Sequence, residues 1–300
     1  MWTRSAGRAA HITAGSNHDA LPGVDFEPGL AASVDMAEVL RDADLAVMAT
    51  PSVAIRETLM GLENARPGLP LVSLAKGIEP RTLQLHSQIA AEVARSSAFC
   101  VLTGPSFARE VLSGQPTAMV AASKDARLAQ TVQDVFSGPR LRVYESDDVE
   151  GAEMAGALKN VVAIASGMAA GLKCGENTRA ALITRGLAEI SRLAVAFGGR
   201  AETVSGLAGL GDLVLSCSSN QSRNFQFGRL VAEGKDPGAV LQSLGTVEGL
   251  RTTSAACALG ERTGVETPVA KEVRGVLVQG VSPQDAVAAL MLRRLKREVH

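Results

Sequence analysis

The sequence predicts an α/β protein in two parts: a doubly wound, mostly parallel sheet, then an all-helical unit. Two observations carry this reading. Short apolar runs alternate with helical stretches up to about residue 147. Runs that short suit buried strands, and strand–helix alternation gives a parallel sheet covered by helices. From about Asp148 the rhythm changes to helices with short breaks. The boundary therefore falls near residue 147, with residues 1–147 and 148–300 as the two units. No repeat, low-complexity segment or flexible linker separates them, so they should pack rigidly.

The strand candidates follow in order. The run 45–49 stops at Thr50-Pro51, the run 71–74 at Lys76-Gly77, and the run 99–102 at Gly104-Pro105-Ser106. Runs at 118–121 and 141–144 complete the set. Helical stretches at 81–95 and 126–136 lie between them. Gly, Pro and Ser dominate turns in any case. Three such stops at one edge nevertheless favour a ligand site, because open α/β sheets bind ligands beyond the carboxyl ends of their strands.

In the second half, residues 148–172 read as one long helix. Met154, Leu158, Val161 and Ala165 recur at helical spacing and predict a buried stripe. Thr267-Pro268 and Ser282-Pro283 each place an N-cap residue before Pro at the first helical position. Gly280 fits the stop of the first of these helices.

Composition removes several function classes. Three hundred residues can bury a core without disulfides or metal. Aromatics are only 3%, which argues against a base-stacking nucleic-acid platform. Net charge is −1, so there is no basic field for nucleic acid or anionic lipid. Cysteines at 100, 174, 217 and 257 form no CxxC element and read as reduced cytoplasmic thiols. The histidines at 11, 18, 86 and 300 are scattered, so no metal site is expected. No apolar run approaches ~20 residues, so no membrane span is expected. No GxxxxGK(S/T), HExxH or GxSxG motif occurs.

Four stretches could carry chemistry. Lys159 lies in an Ala-, Gly- and Val-rich helix, so it either snorkels to water or is held by partners. If buried, its pKa falls toward a range useful for proton exchange. The small neighbours Ala152, Ala155, Gly156 and Ala163 would let a ligand or another segment approach. Gly206-Leu207-Ala208-Gly209-Leu210-Gly211-Asp212 suggests a tight inter-helix turn that presents Asp212; the plainer reading makes Asp212 a helix N-cap. Ser218-Ser219-Asn220-Gln221-Ser222-Arg223-Asn224 gathers hydroxyls, amides and a guanidinium before a helix, which suits a phosphate or simply a solvated loop. Gly104-Pro105-Ser106-Phe107-Ala108-Arg109-Glu110 joins a strand to a helix beginning at Pro105 or Ser106, whose free amides suit an anion.

These residues also carry a resemblance. The chain resembles the bacterial-type NAD(P)-dependent glycerol-3-phosphate dehydrogenases in Ser73-Leu74-Ala75-Lys76-Gly77-Ile78-Glu79, in 104–110, 156–160, 179–189 and 206–212, in Ser222-Arg223-Asn224, and in Glu248-Gly249. The motifs keep their order and cover the chain from Trp2 to about Lys296. The resemblance implies a Rossmann-like coenzyme domain, a helical substrate domain and interconversion of glycerol 3-phosphate and dihydroxyacetone phosphate for phospholipid synthesis. It implies that Lys159 is the catalytic lysine. Lys76, Gly104, Ser106, Asp212, Ser222, Arg223 and Asn224 would meet substrate. Arg4, Lys76, Ala108, Arg223 and Glu248 would meet NAD or NADP. The expected ligands are small molecules rather than nucleic acid or membrane. A homodimer is the commonest assembly, though no interface is readable.

Two departures stand out. The chain opens at Trp2-Thr3-Arg4, which matches the end of the family's second strand. The coenzyme unit is therefore expected to lack its first strand and Gly-rich turn, so that either the start lies further upstream or the product is inactive. Coenzyme binding would then be weak and a sheet edge exposed. Thr246-Val247 also stands where the family has two apolar residues. Two rival readings remain open: a related hydroxy-acid dehydrogenase, and a non-catalytic homologue that retains the phosphate pocket.

Overall fold

The computed structural model describes residues 1–16, 25–26 and 29–292. His18, His300 and the end of the resemblance at Lys296 lie outside the described residues. Helix α1 (Ala6–Thr13) and helix α2 (Met36–Leu40) lead into strand β1 (Ala46–Met48). Then come α3 (Ile55–Ala65), β2 (Leu71–Ser73), α4 (His86–Val93) and β3 (Phe99–Thr103). The unit ends with α5 (Ala108–Leu112), β4 (Thr117–Ser123), α6 (Ala126–Phe136) and β5 (Leu141–Ser146).

The sheet order is β1-β2-β3-β4-β5. β1, β2 and β3 run parallel, with Val72 opposite both Val47 and Cys100. β4 turns antiparallel to β3, and β5 runs parallel to β4. The carboxyl ends of the first three strands thus share one edge. One apolar core lies against β1 and β2 under α3 and α4; a second joins β2 to β5 under α6. β1 borders the described sheet, and its Val47 is 45% exposed. Near the N-terminus, Trp2 makes a single parallel bridge to Ser33.

Helix α7 (Val149–Gly171) opens the helical unit. Asp148 caps it by accepting from Gly151 N at 3.0 Å, and the same carboxylate accepts from Arg200 N at 2.8 Å. Around α7 stand α8 (Gly175–Ala196), α9 (Ala201–Ser205), α10 (Asp212–Ser218) and α11 (Arg223–Ala232). The remainder are α12 (Pro237–Leu244), α13 (Glu248–Thr263), α14 (Pro268–Gln279) and α15 (Pro283–Met291). Val149 and Ala152 of α7 pack with Ala208 against Val101 and Ala122 of the sheet, which joins the two units through apolar contact.

Several expectations need correction. The buried stripe on α7 is in fact a whole buried helix: every residue from 151 to 169 is inside. Neighbouring helices surround it, so no face is left to water. Its 23 residues also make it long and apolar enough to cross a membrane by length and composition, although no apolar run near that length was expected. Its burial within the protein, with Glu153 and Lys159 inside the segment, makes it a core helix. The stretch 81–95 is helical only over His86–Val93. Leu83 takes a positive φ of 59°, and Glu79 is pinned by Arg56 at 2.8 and 2.9 Å, so 76–85 is an ordered loop. The helix expected at Pro105 or Ser106 starts at Ala108 and is five residues long. Gly104 at φ 138° turns the chain there, and Ser106 Oγ bonds back to the Gly104 carbonyl at 3.1 Å. Ser282 caps α15 as expected, by accepting from Asp285 N at 3.0 Å. Thr267 occupies the cap position of α14 without capping it. Glu189 on α8 does so instead, accepting from Val269 N at 2.8 Å and Ala270 N at 3.1 Å.

Glycines set the closest helix contact. A Cβ on Gly167 would lie 2.1 Å from the Phe225 carbonyl oxygen, and one on Gly228 would lie 2.0 Å from that of Ile164. The backbones of α7 and α11 therefore touch, which fixes the N-terminus of α11 beside the middle of α7.

Candidate active site

Lys159 projects from the middle of α7 and is only 7% exposed. A buried ammonium needs partners. Its Nζ donates to Asp212 Oδ1 and to Ser216 Oγ, the latter at 2.8 Å. Asp212 opens α10, and Ser216 follows one turn later on the same face. Asp212 is thus the first residue of its helix rather than its N-cap. The segment Leu207–Gly211 is a wide helical turn continuous with α10, not a loop. Within it, a Cβ on Gly209 would sit 1.9 Å from the Val204 carbonyl oxygen, so only glycine permits that turn.

The second ammonium arrives from the sheet. Lys76, past the end of β2, donates from Nζ to Asp212 Oδ2 at 2.6 Å and to the Gly104 carbonyl at 3.2 Å. The Lys76 stem runs past Gly156, where a Cβ would lie in ordinary contact with Lys76 Cγ at 3.6 Å and be tight only against Thr103 Oγ1 at 3.3 Å. Gly104, past the end of β3, would bring a Cβ within 3.0 Å of Met119 Cα. One carboxylate therefore bridges two lysines from different units.

Protonation follows from that arrangement. Burial pushes Lys159 down to about 8, the Lys76 ammonium pushes the same way, and Asp212 opposes both. Burial works against the charge of Asp212, but Lys76 and Lys159 outweigh it and hold the carboxyl below its ordinary range. A lysine near 8 can both give and take a proton close to neutral pH.

The polar cluster lies on the neighbouring helix. Ser222 caps α11, accepting from Phe225 N at 3.3 Å. Asn224 donates from Nδ2 to Asn160 Oδ1 at 2.9 Å and accepts from Gly249 N at 2.9 Å. Asn160 follows Lys159 in sequence, so the cluster is tied to the lysine's own turn of helix. Arg223 opens α11 as an exposed residue, with no hydrogen bond or ion pair among the described residues. Gln221 reaches from this cluster to Glu110 of α5 at 2.6 Å, next to the Ala108–Arg109 start of that helix.

Glu248 opens α13 and reaches the sheet edge, where Ser52 donates to it from Oγ at 2.5 Å and from its amide at 3.4 Å. Thr50, at the exit of β1, buries its Oγ1 without a hydrogen-bond partner among the described residues. Thr103 does the same at the end of β3. Arg4 is exposed beside α1, in an open surface hollow shared with Thr3, Ser5 and Arg8, and the structure does not bring it into the lysine–aspartate group. Sequence reasoning missed Ser216 and Ser52, and gave Asn160 no role although it lies in the stretch 156–160. The i, i+4 spacing of Asp212 and Ser216 was the available signal for one of them.

A doubly wound sheet whose strand ends meet a buried lysine of a helical unit defines a class: two-domain nicotinamide-dependent dehydrogenases. Comparison with known proteins agrees. The family model described as the N-terminus of NAD-dependent glycerol-3-phosphate dehydrogenase matches residues 1–129, and its C-terminal counterpart matches residues 148–288. The chain belongs to the NAD-dependent glycerol-3-phosphate dehydrogenase family. It is 46% identical over 288 residues to the glycerol-3-phosphate dehydrogenase (NAD(P)+) of Anaeromyxobacter dehalogenans, covering 94% of this chain and 87% of that one. It is 46% identical over 302 residues to the protein of that name from Thiobacillus denitrificans, covering 99% and 92%. A crystal structure of glycerol-3-phosphate dehydrogenase from Coxiella burnetii superposes with a TM-score of 0.94 at 37% identity, covering 97% of this chain and 90% of that chain. A ketopantoate reductase structure from Ralstonia eutropha, at TM-score 0.54 and 14% identity, shares the fold alone.

Proposed function

We propose that this protein interconverts sn-glycerol 3-phosphate and dihydroxyacetone phosphate with NAD or NADP, and so supplies glycerol 3-phosphate for phospholipid synthesis. One observation carries the reaction: a buried lysine with a lowered pKa, held by a carboxylate that a second lysine shares. In this reading residues 1–147 form the coenzyme-binding domain and residues 148–300 the substrate-binding, catalytic domain, and each lends residues to the other's ligand.

The sheet edge suits a nicotinamide coenzyme. Thr50 Oγ1 is a buried polar atom there without a partner among the described residues, and Glu248 offers carboxylate oxygens to ribose hydroxyls. Arg4, Lys76, Ala108, Arg223 and Glu248 would hold it. When bound, the coenzyme supplies the hydride chemistry. The chain's own residues do the rest. Lys159 gives its Nζ proton to the carbonyl oxygen during reduction and takes it from the hydroxyl during oxidation. Asp212, shared with Lys76, keeps that ammonium in place, and burial together with these two charges sets its pKa. Gly104 and Ser106 present backbone and hydroxyl groups to the substrate. Arg223 meets the phosphate dianion with paired donors, supported by Ser222 and Asn224.

Names of relatives at high coverage support the phosphorylated substrate over a hydroxy acid. The intact lysine–aspartate pair supports catalysis over bare binding. Four free cysteines among the described residues support a reducing, cytoplasmic setting, and a homodimer is the assembly we expect. The test is direct: follow reduced-coenzyme oxidation with dihydroxyacetone phosphate and with a non-phosphorylated 2-keto acid. Turnover of the phosphorylated ketone is expected; preference for the keto acid would overturn the assignment.

A further inference from the structure

We propose that Ser52 is a positioning residue for the coenzyme, acting by holding the Glu248 carboxylate at the exit of β1. This rests on the reading of Glu248 as a coenzyme contact.

Ser52 is 7% exposed and spends both of its donors on one side chain 196 residues away. Its amide serves Oε1 and its hydroxyl serves Oε2. No other described residue makes a hydrogen bond to that carboxylate. A carboxylate has about four acceptor sites, so two remain for hydroxyl groups. Glu248 stands in the first turn of α13, yet its side chain leaves that helix and crosses to the opposite unit. Without the serine, a free carboxylate at a helix start would turn toward water or toward its own amides. Pro51 precedes Ser52, and Ser52 begins the short helical turn Ser52–Ala54, which frees its amide to donate outward.

The loop that carries Lys76 lies directly on this pair. A Cβ on Gly77 would meet Ser52 Cβ at 2.4 Å and Ser52 Oγ at 2.6 Å, with Glu248 Oε2 3.8 Å away. Three segments therefore meet at the serine: the exit of β1, the loop beyond β2 and the start of α13. The residue next to Gly77 is one of the two lysines on Asp212. Ser52 thus holds in place an acceptor for the coenzyme while touching the segment that carries Lys76.

The experiment is a double-mutant cycle read by direct binding. NADH and NADPH are titrated into wild type, Ser52→Ala, Glu248→Gln and the double variant, with dihydronicotinamide fluorescence giving Kd. Ser52→Ala is expected to raise Kd about fivefold to tenfold, less than the full worth of a hydrogen bond to a charged group, because the bond is made to Glu248 and reaches the coenzyme only through it. The double variant is expected to bind no more weakly than Glu248→Gln alone, because the serine acts through the glutamate. In steady state the coenzyme KM should rise with Kd while the KM for dihydroxyacetone phosphate stays put. Gly77→Ala, which crowds the serine but keeps its hydroxyl, should weaken coenzyme binding in the wild-type background and add no loss to Glu248→Gln, whereas a loss through the neighbouring Lys76 would add. This variant carries the test if Ser52→Ala does not fold.

An unchanged Kd in Ser52→Ala, or a full additive loss in the double variant, overturns the role of Ser52 alone. If Ser52→Ala does not fold, an unchanged Kd in Gly77→Ala, or a full additive loss when it is combined with Glu248→Gln, overturns it. An unchanged Kd in Glu248→Gln overturns it together with the coenzyme role of Glu248. None of these results touches the reaction itself, which fails only if wild type does not turn over dihydroxyacetone phosphate.

Discussion

The group around Asp212 and the cluster around Arg223 lie against the same helix but are built in opposite ways. Lys159 and Asp212 are buried at 7% and 1% exposure, and every charge there already has a partner. Arg223 is exposed and uncommitted among the described residues, although its neighbours Ser222 and Asn224 are locked by hydrogen bonds. Proton transfer requires a pKa set before the substrate arrives, so that part is preassembled. Binding a phosphate requires a cation free to meet it, so that part is left open. The difference separates where turnover is set from where affinity is set.

The comparison can be broken most sharply at Lys159. Lys159→Ala is expected to cut turnover by about 10²- to 10⁴-fold while calorimetry still detects the substrate. A rate near wild type would move the chemistry elsewhere. Next in size is Arg223→Ala, which should raise the KM for dihydroxyacetone phosphate about 10- to 100-fold, the loss of a charge-assisted contact worth ~1.5–3 kcal/mol. If kcat fell instead and KM held, the open cluster would belong to the chemistry after all.

The smallest effect is a displaced pH profile. Reduction needs Lys159 as the ammonium, so its rate should fall above pH about 8, and oxidation should fall below it. Asp212 favours the charged form of Lys159. Asp212→Asn removes that support, so the descending limb for reduction should shift down by about one pH unit. A limb that stayed put or rose would show that the carboxylate does not set the lysine's pKa.

Much of the fold was legible because strands and long helices leave periodic traces. The runs at 45–49 and 141–144 became β1 and β5 with small changes of end, and Ala126–Phe136 kept its bounds because Asp125 caps it. The stretch 81–95 misled, because its pattern suits a helix while the Arg56–Glu79 pair holds its first part as a loop. Local rules also missed caps supplied from afar. Glu153 on α7 accepts from Ser87 N at 3.0 Å and so caps α4, whose own cap residue, Leu85, has no side-chain oxygen. In sequence, Glu153 is only one acid in an apolar helix. For the site, the small residues around Lys159 hinted at close approach, and the family resemblance singled out Asp212. That Lys76 shares Asp212 from 136 residues away could not be read from spacing, because the contact exists only once sheet and helices pack.

The shared carboxylate has a consequence for charge. Two ammonium groups, of which only that of Lys76 is partly open to water, and one buried carboxylate leave a surplus of one positive charge. An alkoxide forming beside it would bring that sum to zero, and passing the proton to oxygen keeps it there. The region would then undergo no net creation of charge out of reach of water, where such creation is most costly.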